Sequence, residues 1–340
     1  MDSVTHAVSG AALILAMPRR PATAWAVPMS MAVSCMPDID IIFHRIPIDS
    51  LLLHRGITHA LPALSVLAPL CALFMYPLWR RGTLGAWTFM QTVLFAFMLL
   101  LMHIWLDCLN SYGTLAFLPF SDYRVYIVDL WLLVPLIMAC CVARRRSRIA
   151  ALAMIWLLFY SGGAVAWRMN LQNKWSALLQ VDGIVPAQLN VLPDAFSPLY
   201  WKVQYMHDGQ SFQAPLDWSG LQAGHWQQQQ SADSLLARLA AEDRTARIWA
   251  NFSYLPLYDE QNWEDGKEYS FYDWRFGSFV PFVQNLRRNS GAFFGLMARL
   301  DGTGKLIAVR YITRRNDSDW RPPVMPKKRR GIRWLIGLDN

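Results

Sequence analysis

Two residue pairs that could do chemistry sit four apart at the ends of apolar segments: Asp2 with His6, and His103 with Asp107. On a helix that spacing turns both side chains of a pair to one side. Between them lie Pro37-Asp38-Ile39-Asp40, whose alternate residues point one way in an extended turn, and His54-Arg55-Gly56-Ile57-Thr58-His59. Neutral imidazole and carboxylate are the ligands expected of zinc, and mixed His/Asp shells also suit manganese or iron. One or two divalent ions, zinc first among them, held there by His6, His54, His59, His103 and the aspartates would lower the pKa of a bound water and supply a hydroxide nucleophile. Asp38 or Asp40 would serve as bridging ligand or general base. Arg55, beside the ligands, could hold a phosphate or carboxylate oxygen.

Taken singly, each residue has an ordinary explanation. Asp2 could be a helix N-cap, and Asp38 and Asp40 turn-formers after Pro37. A lone His59 or His103 at a helix end is usually interfacial or hydrogen-bonded, and His44 reads as a loop residue. Taken together they outweigh these readings, because ionisable groups near a membrane are costly and mark function by default.

The elements that must position them are membrane elements. The chain has 340 residues, 54% of them hydrophobic, with room for two domains. Residues 1–168 contain neither Lys nor Glu; the first Lys is Lys174 and the first Glu Glu242. A soluble domain needs a charged surface all round, so this half is expected to contact lipid. Apolar stretches at 59–79, 87–107, 125–143 and 149–168 each approach the ~20 residues a spanning helix needs. Shorter stretches at 4–17 and 22–36, joined by Pro18-Arg19-Arg20-Pro21, predict a helical hairpin. Arg19-Arg20, Arg80-Arg81 and the cluster Arg144, Arg145, Arg146 and Arg148 fall on one side after alternating crossings, which the positive-inside rule makes cytoplasmic. Asp2, Asp38, Asp40, Asp49, Asp107, Asp122 and Asp129 then converge on the opposite face, with His6, His44, His54, His59 and His103.

The fold expected is mainly α. It consists of a polytopic helical bundle over 1–168, with four long spans and the N-terminal hairpin, then a small α+β soluble domain with an antiparallel sheet over 169–320, then a basic tail over 321–340. In the soluble half, 191–206 reads as a strand entered through a proline turn, 231–242 as a helix with Ser231 as N-cap, and 247–254, 268–275, 293–300 and 305–313 as strands. Asp301-Gly302 and Gly304 supply a hairpin turn. The net charge of +8 lies in pairs between apolar segments rather than in one stripe, which argues against nucleic acid as a partner. Cys35, Cys71, Cys108, Cys140 and Cys141 form no CxxC pair and read as small buried residues. The short apolar run after Asp2 precedes Arg19 and Arg20, the reverse of a signal peptide's charge order. Trp79, Trp87, Trp105, Tyr126 and Trp167 suit an interfacial belt, and His207 and His225 lack partners at metal spacing.

With these residues in view, the chain resembles the family of membrane-bound, metal-dependent hydrolases, the inner-membrane YdjM-like proteins. The motifs that carry the resemblance are MDSVTHAVSG at the start, MPDID (36–40), HRGITHA (54–60), HIWLDCLNSYGT (103–114) and LPFSDYR (118–124). The resemblance implies that Asp2, His6, Asp38, Asp40, His54, His59, His103 and Asp107 are the metal and catalytic residues, with Arg55 and Thr58 in the same motif. Ala60 stands where the family tends to have Ser, which removes a hydrogen-bonding hydroxyl, and Asp129 stands apart from Pro135 where the family tends to pair Asp with Pro.

The function expected is that of a multi-pass bacterial inner-membrane hydrolase. Its metal-activated water would attack an ester or phosphoester, with membrane lipids as neighbours and a lipid or lipid-linked substrate. The site and the C-terminal domain are expected on the non-cytoplasmic side. A metal or proton transporter is the first rival, although stretches 59–79 and 87–102 are almost without polar residues. A membrane protein with a purely structural metal is the second.

Overall fold

The structure, a computed structural model, describes residues 3–43, 48, 51, 54–80, 87–108, 114, 147–194, 200–281, 283–284, 294–313 and 319–325. The chain divides into two compact units, one of residues 1–43 and 55–167, the other of residues 44–54 and 168–340.

The first unit is helical. Helices α1 (Ser3–Ala16) and α2 (Ala26–Ser34) form the N-terminal hairpin. They cross closely at Gly10, where an added Cβ would lie 2.6 Å from the Ser30 carbonyl oxygen and 2.7 Å from Ser34 Cβ. A 3-10 helix, Met36–Phe43, follows. Two single 3-10 turns, Ile57–His59 and Leu61–Ala63, lead into α3 (Leu64–Trp79). Helix α4 (Phe89–Asp107) starts from a capping box in which Thr88 and Gln91 each bond the other's backbone N–H. Helix α5 (Ser147–Val181) is 35 residues long and runs on into the second unit.

Three segments, Leu61–Trp79, Phe89–Asp107 and Ser147–Val181, are long and apolar enough to cross a membrane. Met75, Trp79, Leu99, Leu100 and Leu157 share one core with α1 and α2, while Phe74, Met90, Leu94 and Phe159 stand exposed and give these helices an apolar outer surface. The expected span at 125–143 lies outside the described residues, so three spans are seen among the described residues rather than four. Helix α1 has 14 residues, about 21 Å at 1.5 Å per residue, well short of a ~30 Å hydrocarbon core.

Among its described residues the second unit carries two four-stranded antiparallel sheets, where the sequence predicted one. The first is β1 (Gln188–Pro193), β2 (Trp201–His207), β3 (Gln210–Leu216) and β4 (Gln227–Gln230). Helices α6 (Asp233–Glu242) and α7 (Arg244–Phe252) separate it from β5 (Pro256–Trp263), β6 (Gly266–Asp273), β7 (Phe294–Asp301) and β8 (Leu306–Thr313). Over 191–206, where the sequence predicted a strand entered through a proline turn, the chain forms the end of β1, up to Pro193, and then β2 from Trp201. Ala232, not Ser231, is the N-cap of α6, although the Ser231 hydroxyl accepts from Asp233 N at 3.2 Å. The strand predicted at 247–254 falls mostly on helix α7: Thr245, Ile248, Trp249 and Phe252 are buried at helical spacing, and the Asp243 carboxylate caps the first turn. Leu171 and Trp175 of α5 pack on Val191, Trp201, Val203, Ala214 and Leu216 to make the core of the first sheet.

Candidate metal centre

The chemistry of the first unit gathers where its helix ends meet. His103 and Asp107 occupy the last turns of α4 on the face that turns inward, and both are fully buried. The 3-10 helix after α2 presents Asp38 and Asp40, and the turn before α3 presents a fully buried His59. His6, also fully buried, comes from the first turns of α1. Four segments far apart in the chain thus deliver imidazole and carboxylate to one place.

Four of these groups form a set with the dimensions of a metal shell. His59 Nε2 lies 3.0 Å from His103 Nε2, 3.2 Å from Asp107 Oδ2 and 3.4 Å from Asp38 Oδ1. His103 Nε2 lies 3.5 Å from Asp107 Oδ2 and 3.6 Å from Asp38 Oδ1. All four donor atoms fall within 4.8 Å of one another. A tetrahedral zinc with bonds of about 2.0–2.1 Å sets its ligand atoms about 3.4 Å apart. The five contacts given bracket that value.

The outer contacts orient the two imidazoles for an ion. His103 Nδ1 lies 2.7 Å from the Ser34 carbonyl oxygen, so this nitrogen carries the proton and Nε2 keeps its lone pair. His59 Nδ1 lies 3.0 Å from Thr58 Oγ1, whose hydroxyl donates to Asp40 Oδ2 at 2.8 Å, and Asp40 Oδ2 itself is 3.4 Å from Nδ1. Asp40 therefore faces the far nitrogen of His59. This leaves two Nε2 acceptors facing each other at 3.0 Å, an arrangement that needs a cation between them, either a proton on one ring or a metal. The donor set fits a divalent ion.

The carboxylates around His59 favour its protonated form. Burial of the ring opposes charge, but its contacts with the Asp107, Asp38 and Asp40 carboxylates outweigh this and raise its pKa to about 10. At Asp38 burial likewise disfavours the charged form, yet hydrogen bonds with His103 and His59 prevail and hold the carboxyl well below the usual carboxylate range.

The remaining predicted site residues fall in several places. His6 is stacked on His103, with ring centroids 3.7 Å apart, and its Nε2 reaches Asp107 Oδ1 at 3.2 Å. The Arg55 guanidinium is 3.0 Å from Asp107 Oδ1 rather than directed at open space. His54 belongs to the second unit, directly before Arg55 in the chain. Asp2, His44, Asp49, Asp122 and Asp129 lie outside the described residues. Sequence reasoning missed Gly10 and Ser34. Ser34 acts through its carbonyl, which every residue type possesses, but the small-residue spacing of Ser30 and Ser34 opposite Gly10 is the mark of closely packed membrane helices and could have shown the contact.

Comparison with known proteins identifies relatives of the helical half of the chain. The model of the YdjM inner membrane protein family matches residues 1–171, the segment that contains every residue named above for the centre. The chain is also 33% identical over 176 residues to "Uncharacterized protein YfhP" of Bacillus subtilis (strain 168), covering 48% of this chain and 48% of the relative. It therefore spans about half the length of the curated relative it matches. No solved structure matches it. The family match covers half of the sequence and all of the buried His/Asp centre, and the chain belongs to the YdjM inner membrane protein family.

Proposed function

We propose that this protein is a membrane-embedded, metal-dependent hydrolase, with zinc as the ion and an ester or phosphoester as substrate. The observation that carries the reading is the set of His59, His103, Asp107 and Asp38 donor atoms at tetrahedral spacing. His59, His103 and Asp107 are fully buried and act as the fixed ligands, a two-imidazole, one-carboxylate shell. When bound, the ion supplies Lewis acidity and a water acidic enough to attack at neutral pH. The Asp38 side chain, at 13% exposure, is the most exposed of the four. It marks the open side of the centre and takes the proton from the attacking water. Asp40, through Thr58 and directly, holds the His59 ring in register. His54, adjoining Arg55 in the chain, is a further candidate ligand, as is Asp2, four residues before His6.

The substrate is drawn from the bilayer: the centre is assembled from the ends of apolar helices, so a lipid or lipid-linked ester reaches it more directly than a cytosolic metabolite. The distribution of Arg19, Arg20, Arg80 and Arg148 about the spans supports placing the opposite end, with the site, on the non-cytoplasmic face of an inner membrane.

One observation favours a second reading. Four protein ligands fill zinc's four positions, as structural sites do, so an Asp38 bound permanently to the ion would give a closed, non-catalytic centre. The two readings separate at Asp38→Asn, assayed in the zinc-loaded, detergent-purified full chain against phospholipid and chromogenic ester and phosphoester probes. The hydrolase reading expects wild-type turnover that a chelator stops, and a variant that keeps its zinc but loses turnover. A wild type inert on every probe, with an Asp38→Asn variant that no longer holds zinc, would favour the closed centre.

A further inference from the structure

The carboxylate of Asp107 is divided between two sets of partners. Its Oδ2 faces His59 Nε2 at 3.2 Å and His103 Nε2 at 3.5 Å. Its Oδ1 faces away, 3.0 Å from an Arg55 guanidinium nitrogen and 3.2 Å from His6 Nε2. The other terminal guanidinium nitrogen of Arg55 donates to the Asp107 main-chain carbonyl at 3.4 Å, at the negative end of the α4 dipole. Arg55 adopts the left-handed conformation, φ 62°, which only a minority of side-chain-bearing residues enter. In that conformation its backbone N–H donates to Asp40 Oδ2 at 3.2 Å. One buried residue thereby grips the ligand carboxylate with its side chain and, with its main chain, the carboxylate that orients His59.

We infer that Arg55, with His6, is a positioning residue that makes Asp107 a one-oxygen ligand: it occupies Oδ1, so that only Oδ2 can reach the ion and the coordination number stays low. This rests on the metal-centre reading above and adds to it. Coordination number matters to the chemistry because a carboxylate free to bind through both oxygens would fill a position that the reacting water or substrate oxygen requires. It also gives Arg55 a role other than holding a substrate anion, since a guanidinium committed to Asp107 is not aimed at a ligand. His6 contributes the second donor and, by its stacking on His103, limits how far that ring can turn.

The test uses cobalt(II) in place of zinc in the full-length, detergent-purified chain, because the intensity of its visible bands reports coordination number directly. Wild type is expected to bind cobalt with the intense bands of a four-coordinate ion. Arg55→Ala is expected to bind it about 10- to 100-fold more weakly, with bands weakened toward those of a five- or six-coordinate ion. His6→Ala, which removes one of the two donors, should shift the spectrum the same way by a smaller amount, and Arg55→Lys should recover part of the lost intensity. Bands and affinity unchanged in Arg55→Ala would overturn the inference. If that variant does not fold, unchanged bands in His6→Ala would do so. A wild type that takes up no cobalt would remove the metal centre itself and this inference with it.

Discussion

If the centre holds a metal as proposed, its affinity should depend, through the α1–α2 crossing, on a glycine that touches no ligand. Replacing Gly10 with Ala would set a methyl group 2.6 Å from a main-chain oxygen, Ser30 O, and 2.7 Å from Ser34 Cβ. Main-chain atoms cannot step aside as a flexible side chain can, so α2 must retreat by about 0.8 Å to restore an ordinary contact of about 3.4 Å. The same retreat would displace the Ser34 carbonyl, now 2.7 Å from His103 Nδ1, by up to about 0.8 Å, enough at that limit to take the contact out of the range of a good hydrogen bond. Overpacking of this kind costs about 1–3 kcal/mol, and loss of the contact that orients a ligand imidazole lowers metal affinity about 10- to 100-fold. Thermal unfolding of the metal-free protein and zinc competition against a chromophoric chelator read the two effects separately. Gly162→Ala is the control: nothing lies within 4 Å of its Cβ position on α5, so it should leave zinc affinity unchanged and add up to about 1 kcal/mol of helix stability. Equal zinc affinity in Gly10→Ala and wild type would refute the claim that the α1–α2 contact holds His103 in place.

Metal uptake should be pH-dependent through His59. A pKa raised from 6.5 to about 10 by its carboxylate partners stabilises the metal-free fold fully below pH 6.5, and that stabilisation is lost as pH rises through about 10. Because the bound ion requires the deprotonated ring, zinc affinity should rise about tenfold per pH unit between those limits, with about one proton released per ion. Calorimetry in buffers of different ionisation enthalpy measures that number, and release of none would contradict the assignment. In the second unit, the buried Asp243 carboxylate accepts from Ala246 N at 2.9 Å, as the cap of α7, and from Val324 N at 2.8 Å. Asp243→Ala should destabilise that unit by about 2–3 kcal/mol, seen in denaturant unfolding, and leave zinc affinity alone. A parallel fall in affinity would mean that the centre depends on the second unit.

Three of the four expected apolar spans and the gathering of polar side chains were legible because lipid restricts composition so strongly. With no Lys or Glu in 1–168, the few Asp and His stand out, and the i, i+4 spacing of His103 and Asp107 fixes their common face. What spacing could not show is which atom of each residue faces the others. Asp40 and Asp38 look equivalent in Pro37-Asp38-Ile39-Asp40, yet one meets the far nitrogen of His59 and the other its Nε2. Arg55 reads as an anion holder until its left-handed backbone turns it onto Asp107. In the second unit, the alternation of apolar residues over 247–254 suits a strand as well as a helix. The cap at Asp243 decides in favour of the helix. The Asp208-Gly209 turn, with φ 48° and 71°, was readable as a hairpin signal and would have divided the predicted 191–206 strand from its partner β3.

The account stands on one ion shared by residues from separate helix ends, and X-ray absorption at the zinc edge of the loaded, full-length protein tests it most directly. The expected result is one tightly held zinc per chain with nitrogen and oxygen neighbours at about 2.0–2.1 Å, outer-shell scattering from two imidazoles, and loss of that signal in both His59→Ala and His103→Ala. A protein that retains no zinc after desalting, or a shell that keeps both imidazoles when either histidine is removed, would contradict it.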